Sequence, residues 1–361
     1  MPRTVSLALW LALPLVSACA EQAALPPIED IAAPGDSIAT TFTDVSEAVW
    51  LGARRWAVLA PGEVAVRVAD FSDGTMALLP GARGRDGVFQ QPYAIFRTLD
   101  SLHVADWQAR AVTIWSLDGQ LGGEVGPAAA ARGSLPAARD GSGAWYAELR
   151  AQVRSNGGGV GDSTWLLRLS DGGTRADTVG ALSPAELAEV RTEAGRRFET
   201  RVFSGRDGWG VRADGTVWIA RAHGNRLELR TPDGGVHRGP PLPDPVLQVT
   251  QADRDLFIES FAPELRQTAS RLPFAELKPP FERAFAAPGD VTWLEKSKAI
   301  ADSTRLYHIL APDGSLARIV RVSGFGRVRG AAPDRVLVTR FIDGAVRLYE
   351  HQLPVGVSSE K

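Results

Sequence analysis

Six short apolar segments of this chain end on a charged side chain: Asp70, Asp106, Glu148, Arg221, Glu295 and Arg340. The segments are 64–70 (VAVRVAD), 102–106 (LHVAD), 144–148 (AWYAE), 217–221 (VWIAR), 291–295 (VTWLE) and 336–340 (VLVTR), each rich in Val, Trp or Leu and bounded by turn residues. If the fold gathers their ends on one circle, four acids and two arginines could coordinate a cation or bind a polar ligand. Other chemistry is poorly supplied. The five histidines, His103, His223, His237, His308 and His351, show no His-x-His or HExxH spacing, and no cysteine stands near them. No serine occupies a G-x-S-x-G elbow, and the glycine run at 157–161 lies between strand-like segments instead of ahead of a helix, where a phosphate loop belongs. No catalytic residue, metal ligand or cofactor is therefore assigned, with calcium or another divalent ion left open at the strand-end circle. The tryptophans could stack on sugars or peptides, but filling the space between sheets is their commoner use.

The elements that would position these residues repeat. Six positions after Asp70, Asp106, Arg221 and Arg340 a further alternating strand begins, at Met76, Val112, Leu227 and Val346. Twelve positions after Asp106 and Arg221 come Asp118-Gly119 and Asp233-Gly234, turns into a fourth strand, with equivalents at Asp171-Gly172 and Asp313-Gly314. About six four-stranded units of this kind predict an all-β fold, a six-bladed β-propeller, with a sandwich or barrel as the alternative. The last unit ends too soon for its own fourth strand, so residues around Thr40–Val49 are expected to supply it and close the ring.

Two short helical insertions are expected. Ser183-Pro184-Ala185-Glu186 reads as a capping box with proline at the first helical position, followed by Leu187, Val190, Ala194 and Phe198 on one face. The second insertion, within 253–285, places Phe257, Phe261, Leu265, Ala269 and Leu272 at helical spacing ahead of Pro273.

The unit Leu102–Asp106 with Arg110, Val112 and Asp118-Gly119 resembles an NHL-type repeat, and 217–234 is similar to it. The resemblance is to six-bladed propellers of bacterial envelopes; it implies that the strand-end acid pairs with the later arginine, Asp106 with Arg110, and fixes the turn. At the start of the chain, Arg3, the apolar run Val5–Val16 and Ser17-Ala18-Cys19 form a signal-peptide pattern too short to span a bilayer. The segment Val16-Ser17-Ala18-Cys19 resembles the lipobox of bacterial lipoproteins, which implies lipidation at Cys19, the chain's only cysteine. The domains read as 1–19 signal peptide and lipidation site, 20–39 flexible tether, and 40–361 propeller.

Forty basic residues against 42 acidic ones leave a formal charge of −2, which gives nucleic acid no basic face to bind. Lysine occurs only at Lys278, Lys296, Lys298 and Lys361. The expected function is a lipid-anchored extracytoplasmic binding or scaffolding module of the cell envelope, at the outer membrane, touching membrane only through its lipid. Its partner is a protein or a small polar ligand. The alternative is a metal-dependent hydrolase or lactonase similar to the gluconolactonase propellers.

Overall fold

The computed structural model describes residues 25–31, 35–79, 89–149, 163–192 and 195–354. Two short strands come first, β1 (Ile28–Asp30) and β2 (Asp36–Ala39). Blade 1 is β3 (Glu47–Gly52), β4 (Arg55–Ala60), β5 (Ala65–Asp70) and β6 (Thr75–Leu78); blade 2 is β7 (Pro92–Arg97), β8 (Ser101–Asp106), β9 (Ala111–Ser116) and β10 (Leu121–Val125). Blade 3 is β11 (Pro136–Arg139), β12 (Trp145–Leu149), β13 (Trp165–Ser170) and β14 (Arg175–Ala181), followed by a separate hairpin, β15 (Leu187–Thr192) and β16 (Gly195–Thr200). Blade 4 is β17 (Gly208–Val211), β18 (Val217–Arg221), β19 (Arg226–Arg230) and β20 (Val236–Arg238). Helices α1 (Gln251–Glu259) and α2 (Arg266–Ala269) precede blade 5, which is β21 (Phe281–Ala287), β22 (Val291–Lys296), β23 (Arg305–Leu310) and β24 (Leu316–Val322). Blade 6 is β25 (Arg327–Ala331), β26 (Arg335–Ile342) and β27 (Ala345–Gln352).

Every blade is an antiparallel meander, and the first strands β3, β7, β11, β17, β21 and β25 neighbour one another in a closed ring. The chain is a six-bladed β-propeller. Each middle strand is covered on both faces by adjacent blades, so its sequence runs apolar without alternation: Trp56 to Ala60 in β4 and Val217 to Ala220 in β18 are all buried. Outer strands such as β20 are exposed and polar. Apolar cores fill the joints between blades, with Trp56, Trp115 and Trp293 fully buried in them. Packing is thus the role of most tryptophans. At the joint between blades 6 and 1 the inner strands come so close that a Cβ on Gly330 would meet the Ala48 carbonyl oxygen at 2.2 Å.

Ring closure is supplied by β2, which pairs antiparallel with β27, Asp36 opposite Glu350 and Ala39 opposite Arg347. The closing strand therefore lies just upstream of 40–49, whose residues 47–49 already belong to the inner strand of blade 1. The span 20–39, expected as a tether, contributes β2 and also β1, which adds in parallel to β24. Ile38 is what binds β2 down, buried with Phe42, Val45 and Leu348.

The first expected helix is a hairpin. Ser183, the anticipated cap, spends its N–H and hydroxyl on the Asp207 carboxylate at 2.8 Å each, so no first turn is nucleated there. Leu187–Thr192 pairs residue by residue with Gly195–Thr200. The second insertion is helical but divided. Thr250 and Asp253 form a reciprocal capping box at the start of α1, and the helix stops at Glu259 because Pro263 disfavours a helical Ala262. Leu265 is consequently exposed, while Phe257, Phe261 and Phe274 meet as an aromatic cluster and Ala269 is buried.

Candidate functional site

The inner strands all run in one direction, so second strands end on the face where inner strands begin. All long connections open onto that face, including the hairpin, the helical insertion and the 297–304 segment. The opposite face carries short turns, several closed by an Asp side chain bonded two residues on, as Asp73 to Thr75 and Asp313 to Ser315. Asp106, Glu148, Arg221, Glu295 and Arg340 end second strands and lie at the loop-bearing face. Asp70 does not. It ends β5, the third strand of blade 1, opposite Arg55, and so lies on the short-turn face. Its VAD ending mimics the second strand of blade 2, and a sequence repeat alone could not tell the two strands apart.

The five remaining residues do not share one ligand. Asp106 is buried and accepts the N–H groups of Gln90, Gln91 and Ala109 at 2.7–3.0 Å. Arg110 donates to the Gly133 carbonyl rather than to Asp106, so the acid fixes its turn through backbone and not through the arginine. Glu148 accepts from the Trp209 indole at 2.7 Å. Arg221 lies between Asp207 and Glu228, at 2.8 and 2.9 Å. Arg340 stacks on the Tyr349 ring, 5.4 Å from its centroid.

Glu295 belongs to a denser centre at the junction of blades 5, 6 and 1. It is fully buried and holds Arg305 at 2.8 Å and Arg327 at 2.9 Å. Glu282 reaches the same two guanidiniums at 3.1 and 3.6 Å. Burial works against the charge of Arg327, but Glu295 beside it prevails and raises its pKa. Tyr307, buried against Glu295, is held protonated by desolvation and by that carboxylate, and its hydroxyl accepts from the Val328 N–H.

On the channel side, side chains satisfy backbone groups that the inner edge strands leave unpaired. Arg283 donates to the carbonyls of Val328 and Arg329 and stands 3.6 Å from Glu47. Glu47 accepts from the Ile95 N–H, and Arg97 donates to the Trp50 carbonyl. Arg329 donates to the Thr339 hydroxyl at 3.1 Å and, at 3.5 Å, to the Ser46 carbonyl. Burial, together with the charges of Arg327 and Arg283, presses its pKa down to about 10. Sequence reasoning reached Glu295 but missed the arginines around it, although the alternation Arg327-Val328-Arg329 at the start of an inner strand was visible.

A second polar cluster lies in the joint of blades 4 and 5. Lys296 is buried, 2.6 Å from Asp244, which also accepts from Asn225; His308 stands 3.7 Å from the same carboxylate. Desolvation lowers the pKa of Lys296 against the pull of Asp244, and lowers that of His308 likewise. Lys278 pairs with Asp253 at the start of α1 and donates to the Lys298 carbonyl. Lys278 and Lys296, two of only four lysines in an arginine-rich chain, therefore tie the segment carrying the helical insertion to blade 5, while the Lys298 ammonium bonds carbonyls of its own loop. The insertion also meets the connection after the hairpin: Val202 donates to the Pro273 carbonyl, Ala275 to the Val202 carbonyl, and Phe203 touches Phe274.

Exposed large apolar side chains are unevenly placed. Among the described residues every exposed aromatic, Tyr93, Trp107, Trp165, Phe198, Phe325 and Phe341, lies at the loop-bearing face or on its hairpin. The short-turn face exposes the aliphatic Leu99, Leu121 and Val236, with Leu25 just before β1 and Ile28 at its start. Among the described residues no three His, Cys, Asp or Glu side chains are grouped to hold a metal ion, and no helix is long and apolar enough to cross a membrane.

Fold and site together define a six-bladed propeller with one elaborated face. No protein-family model and no curated protein matches the sequence. Among solved structures, virginiamycin B lyase from Staphylococcus aureus is 10% identical, with 87% of this chain and 98% of that one covered and a TM-score of 0.42. Regucalcin from Agrobacterium tumefaciens, a calcium-binding protein, is 11% identical over 91% and 98%, at 0.41. A gluconolactonase from Xanthomonas campestris is 15% identical over 90% and 94%, at 0.42. Likeness at this level assigns no activity, since propellers host many.

Proposed function

We propose that this chain is an extracytoplasmic binding module, held at the bacterial outer membrane by lipid on Cys19, that engages a protein partner through its loop-bearing face. The anchor rests on the sequence Val16–Cys19, which lies outside the described residues. The observation that supports the binding reading is the one-sided distribution of exposed aromatics. Tyr93 and Trp107 pack edge to face at 6.4 Å yet stay 42% and 52% exposed, a rigid platform of the kind that anchors interfaces. Exposed aromatics confined to one face distinguish that face as the one equipped for contact.

The test places a photo-crosslinking residue at Trp107 or Phe341 on one face and at Leu99 or Asp118 on the other, in living cells. Adducts are expected from the loop-bearing face alone. Adducts from the short-turn face alone, or equally from both, would reject the reading.

A further inference from the structure

Among the four arginines at the junction of blades 5, 6 and 1, three are balanced by carboxylates. Arg305 and Arg327 share Glu295 and Glu282, and Arg283 faces Glu47. Arg329 is the exception. Its two hydrogen-bond acceptors, the Thr339 hydroxyl and the Ser46 carbonyl, are both neutral, and no carboxylate among the described residues pairs with it. A guanidinium presents five N–H donors, so most of this one's capacity is unspent. Burying a charge beside like charges is costly unless a counter-ion joins it. The Ser46 side-chain oxygen, on the residue whose carbonyl Arg329 contacts, is buried without a hydrogen-bond partner. Four guanidiniums against Glu47, Glu282 and Glu295 leave one positive charge in excess.

From this juxtaposition we infer that Arg329 and the Ser46 hydroxyl form an anion subsite at the channel side of blades 6 and 1, taking the carboxylate of an organic monoanion. One excess charge matches one negative charge, and the nearby Glu47 and Glu282 disfavour a phosphate dianion. The flat fork of arginine suits a planar carboxylate held by two parallel bonds. The subsite rests on the binding-module reading and adds to it the chemical class of one ligand group.

Calorimetric titration of the folded protein with benzoate and, separately, with inorganic phosphate tests this. Wild-type protein is expected to bind benzoate saturably, one per chain, and more tightly than phosphate. Arg329→Gln should weaken benzoate binding by about tenfold or more, the loss of the charged fork and its bonds to the carboxylate. Because Arg329 also bonds the Ser46 carbonyl and the Thr339 hydroxyl, binding is compared only for variant protein with wild-type circular dichroism, so that a loss of benzoate binding is separated from a loss of fold. Ser46→Ala should weaken binding less, with the same fold by circular dichroism. Equal binding by wild type and Arg329→Gln, tighter phosphate than benzoate, or no saturable binding to wild type would each overturn the subsite. A flat titration alongside crosslinks confined to the loop-bearing face would remove the subsite and leave the binding module standing.

Discussion

At the residue scale, burial decides which titratable groups matter. His103 on β8 is fully buried, stacked on Phe96 at 4.7 Å and edge-on to Trp145 at 5.2 Å. Desolvation, helped by the charge of Arg139 and opposed by Asp100, pushes its imidazole down to about 4 from 6.5. The unfolded chain thus holds more protons between those values. Stability from this group is complete above pH ~6.5 and falls as pH drops toward ~4, by ~3 kcal/mol in all. Urea unfolding across this range should show His103→Phe losing stability less steeply than wild type; parallel slopes would refute the assignment. The candidate residues show the limit of reading single positions. Asp106, Glu148, Arg221, Glu295 and Arg340 share one face because each lies near the end of a second strand, and the repeat made that much legible. What each of them bonds was not legible, since decisive partners come from other blades: Arg327 reaches Glu295 from blade 6, and the Ser46 carbonyl meets Arg329 from blade 1, 283 positions away.

At the scale of elements, the legible features were those fixed by local chemistry. The Asp-Gly turns at 118, 233 and 313 are where the repeat put them, each with its glycine at positive φ: Gly119 at 86°, Gly234 at 90° and Gly314 at 86°. The hairpin at 187–200 was misread because a capping pattern is only a local preference, and Asp207 outbid it for Ser183. Asp70 was misplaced because adjacent strands of a double-faced blade share one composition. Strand β2 is the element on which the ring depends most. Its Asp36 and the buried Glu350 of β27 both bond Arg54, and Glu350 accepts from the Trp56 indole at 3.0 Å, so one arginine joins blades 1 and 6 to the closing strand. Replacing Ile38 with Ala should cost about 2–5 kcal/mol, the usual range for emptying a core site of this size. A truncation starting at residue 25 should melt like the longer chain, whereas one starting at residue 40 should melt far lower. Equal melting temperatures for the two truncations would show the closing strand to be dispensable.

At the scale of the molecule, the direction of β1 sets how the propeller would hang from its anchor. β1 runs parallel to β24, from the short-turn face toward the loop-bearing face, so the chain preceding Ile28 departs toward the short turns. The eight residues between Cys19 and Ile28 span at most about 29 Å when extended. A lipid on Cys19 would therefore keep the short-turn face near the bilayer and aim the aromatic face outward. With lipidated protein in vesicles, a dye on a cysteine introduced at Asp233 should transfer energy to headgroup acceptors more strongly than one at Phe341; the opposite order would exclude this orientation. Cys19 is the only native thiol, which makes such labelling specific. Closure by β2 also governs when this protein can finish folding. Thr40 bonds the Val346 carbonyl across 306 positions of sequence, so β2, made early, must wait for β27, the last of the described strands. Such distant pairings form slowly. A nascent chain lacking β26 and β27 keeps blade 6 incomplete and the ring open, so the molecule stays an unclosed string of blades until β27 has been made.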